Sequence, residues 1–200
     1  PDGLYKTIDA GNNWKLILAD TLAKALAISP QTHSTIYIGT LTSSIYKSTD
    51  EGETWTSTNL PDEDSSVICI AISPSNPDII YAGTEGVNVY KSTDAGQTWQ
   101  QKSAGLPRQL HNAPSWRYPS AYVNDLPQGV NCLTIDPFNS NIVYTGICYD
   151  DGSIYKTTDG GENWETMNNG FLDFCPKVMV IDPNDRTILH TGSYAGVWSY

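Results

Sequence analysis

The sequence predicts an all-β chain: an arc of four-stranded antiparallel blades of the β-propeller kind. Three observations predict it. A segment ending in tryptophan recurs four times, a second segment of paired apolar runs alternates with it, and Gly and Pro punctuate both.

The tryptophan segments are Leu4–Trp14, Ile45–Trp55, Val89–Trp99 and Ile154–Trp164. Each reads Tyr-Lys-Ser/Thr-X-Asp-X-Gly-X-Thr/Asn-Trp. The aspartates, Asp9, Asp50, Asp94 and Asp159, lie 41, 44 and 65 residues apart. The alternating segments are Ala25–Pro30 with Ile36–Gly39, Cys69–Pro74 with Ile80–Gly83, Cys132–Pro137 with Val143–Gly146, and Val178–Pro183 with Leu189–Gly192. Each run is β-branched or aromatic and stops at Pro or Gly, as strands do. One period therefore holds inner, second, third and outer strands. Such a unit cannot cover both its faces and must stack on its neighbours.

The chain opens on a third strand and closes on Gly196–Tyr200, which aligns with Gly3–Thr7. The expectation is three complete blades with a partial blade at each end, in one domain over 1–200. Further blades are expected from a longer chain or another subunit, because open blade faces invite association. The opening Pro1-Asp2-Gly3-Leu4-Tyr5 reads as the inside of a longer precursor.

The tryptophan motif resembles the Asp box, or BNR repeat, of sialidases, xyloglucan-hydrolysing propellers, sortilin-type receptors and a photosystem assembly factor. The resemblance implies the propeller and leaves the activity open. The box residues themselves read as structure. Asp9, Asp50, Asp94 and Asp159 can accept hydrogen bonds from turn N–H groups. Gly11, Gly52, Gly96 and Gly161 permit positive φ. Trp14, Trp55, Trp99 and Trp164 can pack against neighbouring strands.

The last and longest interval carries an insertion at about 101–129. It holds Arg108, His111, Trp116, Arg117, Tyr118, Tyr122 and Asp125, and the loop near 147–152 adds Tyr149, Asp150 and Asp151. Meander topology puts both loops on one face, opposite the boxes. Aromatic rings with guanidinium and carboxylate groups suit a sugar or peptide platform. The alternative is that Trp116, Tyr118 and Tyr122 form a local core that folds the loop onto the rim. Asp125, Asp150 and Asp151 are the acids to nominate for catalysis.

Of four cysteines, Cys132 and Cys148 fall on adjacent strands and could bridge, while Cys69 with Cys175 is the remaining pairing. An even count also permits an oxidising compartment, extracellular or at the cell surface. No cluster has metal-ligand spacing, and no cofactor is expected. The formal net charge of −11 argues against nucleic acid. No apolar run is long enough to insert in a membrane.

Three functions follow. The first is a non-catalytic binding or assembly module for a glycan or protein ligand. The second is a fragment of a glycoside hydrolase, sialidase- or xyloglucanase-like. With three arginines, Arg108, Arg117 and Arg186, the arginine clamp of a sialidase is hard to build. The third is an assembly factor for a membrane complex, whose expected basic patch is not evident.

Overall fold

The computed structural model describes residues 2–61, 65–107, 129–148, 153–167, 175–193 and 196–199. Among them there is no helix. The first blade is β1 (Gly3–Lys6) and β2 (Lys15–Ala19). The second is β3 (Ala23–Ile28), β4 (Ile36–Thr40), β5 (Ser44–Ser48) and β6 (Thr56–Asn59). The third is β7 (Val67–Ile72), β8 (Ile80–Thr84), β9 (Val89–Ser92) and β10 (Gln100–Gln101). The fourth is β11 (Gly129–Ile135), β12 (Val143–Cys148), β13 (Ser153–Thr157) and β14 (Glu165–Thr166). The fifth is β15 (Pro176–Ile181), β16 (Leu189–Ser193) and β17 (Gly196–Ser199). Every blade is an antiparallel meander with its strands in chain order. The grouping matches the expectation of three full blades and two partial ones.

Inner strands β3, β7, β11 and β15 lie side by side in sequence order. Alternation then divides each strand between two neighbours. In β7, Ile70 and Ile72 join the core shared with the second blade, while Cys69 and Ala71 join the core shared with the fourth. The same rule explains the exposed apolar residues. Leu26 and Ile28 in β3 correspond to Ile70 and Ile72 but are 55% and 51% exposed, whereas Ile72 is 9% exposed. Val178 and Val180 in β15, on the opposite face of the arc, are also half exposed.

The seams are tight near the inner strands. A β-carbon at Gly39, Gly83 or Gly146 would collide with Val67, Val130 or Pro176 of the following blade. The glycine in each second strand is thus a socket for the first apolar residue of the next inner strand. Gly83→Ala overfills one socket. It is expected to lower unfolding free energy by about 1–3 kcal/mol, read by urea denaturation with an unchanged m-value.

Candidate functional site

The four boxes form the hairpin turns between third and outer strands. Their carboxylates are engaged locally. Asp94 accepts from Ser92 Oγ at 2.8 Å, Thr98 N at 2.9 Å and Thr98 Oγ1 at 2.6 Å. Asp50 accepts from Ser48 and Thr54 in the same way. Asp9 accepts from Thr7 and Asn13, and Asp159 from Thr157 and Asn163. The Ser or Thr that opens each box also accepts from the box glycine N–H, as Ser92 does from Gly96 at 2.8 Å. Two consecutive left-handed residues close the turn. Ala10, Glu51 and Ala95 have φ near 60°, and the glycines that follow have φ of 91°, 93° and 83°. A β-carbon at the second position would be strained, which is the physical reason for Gly11, Gly52 and Gly96.

Hydrogen bonding holds these carboxyls below their ordinary range. Asp50, Asp94 and Asp159 are lowered to about 2, first by the side chains of Thr54, Thr98 and Asn163. Asp9 moves in the same direction, chiefly through Asn13. Acids so engaged are turn clamps rather than free bases or ligands.

Each seam is closed by groups that reach a backbone carbonyl of the neighbouring blade. Trp55 Nε1 donates to Ile17 O at 3.0 Å, and Trp164 Nε1 donates to Lys102 O at 2.8 Å. Trp14 has no preceding blade among the described residues and is 61% exposed. Tyr37 OH donates to Ala95 O at 3.0 Å, and burial pushes its phenol up to about 12. Tyr81 OH donates to Ser140 O at 3.1 Å. The box lysine also crosses forward: Lys6 to Glu51 O at 3.1 Å, Lys47 to Ala95 O at 2.9 Å and Lys91 to Gly160 O at 3.2 Å. Sequence reasoning gave these lysines no role. Their recurrence as Tyr-Lys in all four boxes was the available signal.

The loop face is defined by its anchors. Arg108, His111, Trp116, Arg117, Tyr118, Tyr122, Asp125, Tyr149, Asp150 and Asp151 lie outside the described residues. The segment 108–128 leaves from Leu106, buried in the core between the third and fourth blades. It returns at Gly129, which pairs with Cys148 in the ladder of β11 and β12. The segment 149–152 therefore starts beside the point where the insertion ends. Cys148 is disulfide-bonded to Cys175, so 168–174 ends at the same corner.

That disulfide corrects the expected Cys132–Cys148 bridge. The ladder that starts at Ile135 and Val143 sets Cys132 opposite Gly146, two residues short of Cys148, and beyond a register shift Cys148 pairs with Gly129. Cys132 Sγ lies instead 3.7 Å from Pro176 O, across the seam. The bridge joins two blades rather than two strands of one. The Cys69–Cys175 pairing is likewise overturned: Cys69 and Cys132 are free thiols. Cys69 donates to Val130 O at 3.0 Å. Burial raises both thiols, Cys132 to about 12, so they are packing groups and not nucleophiles.

With this geometry in view, comparison with known proteins is informative. The family model described as Sortilin, neurotensin receptor 3 (Sortilin-Vps10) matches residues 2–106 and again 43–126. The chain belongs to the Sortilin-Vps10 family. Its likeness extends to other propellers of the BNR type. A probable oligoxyloglucan-reducing end-specific xyloglucanase of Neosartorya fischeri is 32% identical over 88 residues, which is 42% of this chain and 10% of that protein. The crystal structure of a GH74 enzyme of Niastella koreensis superposes with a TM-score of 0.73 at 19% identity, over 99% of this chain and 33% of the other. The structure of YCF48 bound to D1 peptide superposes with a TM-score of 0.60 at 16% identity, over 90% of this chain and 51% of the other. This member of the Sortilin-Vps10 family thus spans about a tenth of the xyloglucanase and a third of the Niastella enzyme.

Two predictions follow from the box and the bridge. The box carboxyls titrate lower when folded than when unfolded, so their stabilisation is complete above the unfolded value of 3.8. It is lost as pH falls through about 2. The thermal midpoint is expected to drop between about pH 4 and pH 2, and Asp94→Asn to flatten that drop. Replacing Cys148 and Cys175 together by Ser is expected to cost about 3 kcal/mol in urea denaturation, for a sequence separation of 27.

Proposed function

We propose that the chain is a non-catalytic binding or assembly module, extracellular or at the cell surface, whose loop face takes a glycan or protein ligand. The observation that carries this reading is the convergence at Gly129, Cys148 and Cys175. These three residues lie together at one corner of a two-blade seam, each next in sequence to a loop segment, and two of those segments hold the aromatic, guanidinium and carboxylate side chains named above. Loops on a fixed scaffold are where recognition concentrates. The inter-blade disulfide favours an oxidising compartment. The propellers it resembles include one solved with a bound peptide.

The second reading is part of a glycoside hydrolase, favoured by the xyloglucanase relative. Glycoside hydrolysis needs two carboxyl groups across the scissile bond. The box acids are committed to turns, so the acids to nominate for the pair are Asp125, Asp150 and Asp151, with other residues of a longer protein.

The experiment that separates these readings measures binding and turnover together. Trp116→Ala is expected to weaken binding of xyloglucan oligosaccharides or a peptide ligand by about tenfold or more, with the thermal midpoint unchanged. A fall in stability with binding intact would show Trp116 to be local core. Hydrolysis of xyloglucan that disappears in Asp150→Asn or Asp125→Asn would establish the enzyme reading instead.

A further inference from the structure

Among the described residues, the two outermost faces of the arc are open, and they are open in a complementary way. Each inner strand sends one set of side chains back to the preceding blade and the other forward to the following one. In β7, Ile70 and Ile72 face back and Cys69 and Ala71 face forward. The matching backward pair in β3 is Leu26 and Ile28, and the matching forward pair in β15 is Val178 and Val180. All four are aliphatic and half exposed.

The strands at the two ends complement each other as well. β1 and β2 are a third and an outer strand, with no described second strand beside β1. β15 and β16 are an inner and a second strand, followed by β17, which has no described outer strand beside it. The glycine socket of β16 is also empty. A β-carbon at Gly39, Gly83 or Gly146 would strike the following blade, but at Gly192 it would meet only Val178 of its own blade. Val67, Val130 and Pro176 fill the other sockets. Ala23 stands at their strand position in β3 and is exposed.

We propose that a second copy of this chain covers these faces, head to tail. β15 and β16 of one copy dock beside β1 and β2 of the other and complete a four-stranded blade in the observed order. β16 pairs with the other copy's β1 as β4 pairs with β5, which sets Gly192 opposite Leu4 in the register that sets Gly39 opposite Ile45. β17 yields its place to β1, which brings the outer strand β2 with it. Val178 and Val180 then pack on Leu26 and Ile28, and Ala23 enters the socket at Gly192. The contact continues the seam already repeated along the arc, and removing its aliphatic surface from water drives it. Head-to-tail contacts make a ring when their rotation closes, and a two-fold pair is the commonest closed form. Such a pair holds six complete blades and two composite ones. It does not rest on the binding role argued above.

Sedimentation equilibrium of the full chain over a range of concentrations tests the pairing. A dimer is expected to be the main species at about 100 μM. Each copy carries a formal net charge of −11, so the dimer is expected to tighten as salt screens the repulsion. Ile28→Asp on the backward face and Val180→Asp on the forward face are each expected to weaken pairing about tenfold or more. Both sites are half exposed in the single chain, so each variant is expected to keep the circular dichroism of dilute wild type. Phe138→Asp, at an apolar residue 74% exposed but outside both faces, is expected to leave the dimer intact. Hydrogen exchange of a peptide spanning β1 is expected to slow in the dimer, where its free edge is paired. A monomer at every concentration, a species larger than two copies, or pairing that survives both aspartates overturns the proposal. So does a dimer lost in Phe138→Asp, and unchanged exchange in β1 overturns the shared blade.

Discussion

Each blade has two apolar faces and, among the described residues, no helix over either, so its stability depends on the blade beside it. Ile72 and Ile135 are buried because a neighbour covers them, while Ile28 at the same strand position is half exposed. Full burial of such a side chain contributes about 1.5–3 kcal/mol, and a seam repeats that gain along a whole strand. The fold therefore rests on repetition of one face-to-face contact. It needs no single central core.

The chemistry of the seam explains how the contact recurs while sequences drift. Trp55, Trp164, Tyr37, Tyr81, Lys6, Lys47 and Lys91 all reach main-chain carbonyls. A carbonyl is present whatever side chain its residue carries, so these donors specify the position of the next blade without constraining its surface residues. The box fixes the carbonyls in turn. Its carboxylate holds the hairpin, and the left-handed pair presents the carbonyl of Ala95 to both Tyr37 and Lys47. Near the inner strands, Gly39, Gly83 and Gly146 set the approach distance sterically. Side-chain donors to carbonyls on the rim and glycine sockets near the inner strands thus fix the second and third seams at two separated levels.

The fold was legible because its signals are local and repeated. Strand ends fall at Pro and Gly, and the box announces each hairpin, so the grouping into blades could be counted along the chain. What was not legible depends on relations between blades. Cys132 and Cys148 read as neighbours because the length of the turn between their strands sets the register, and counting through it misses by two residues. The ladder from Ile135 and Val143 places Cys132 opposite Gly146, and Cys148 is bonded to Cys175 in the next blade. The lysine that bridges seams was visible in every box, yet its partner is a carbonyl, which no side-chain pattern reveals. The loop residues from Arg108 to Asp125 follow no repeat, so neither periodicity nor the boxes constrain them.

Departures from the repeat are where specific chemistry can enter such a scaffold. The three seams share one frame and differ at a few positions: Glu51 and Glu53 at the first, Ala95 and Gln97 at the second, Gly160 and Glu162 at the third. Exchanging an acid for a neutral residue on the box turn leaves the backbone bonds of the hairpin in place, because those bonds come from Asp, Ser or Thr and Gly. The same holds for the bridge at the fourth seam, which ties loop ends together without altering the strands. A scaffold whose stability is carried by main-chain acceptors leaves its turn side chains free to vary. The pairing state of Lys47 is then set by the side chain at position 95, which the fold itself does not require, as Lys6 finds Glu51 at the corresponding place.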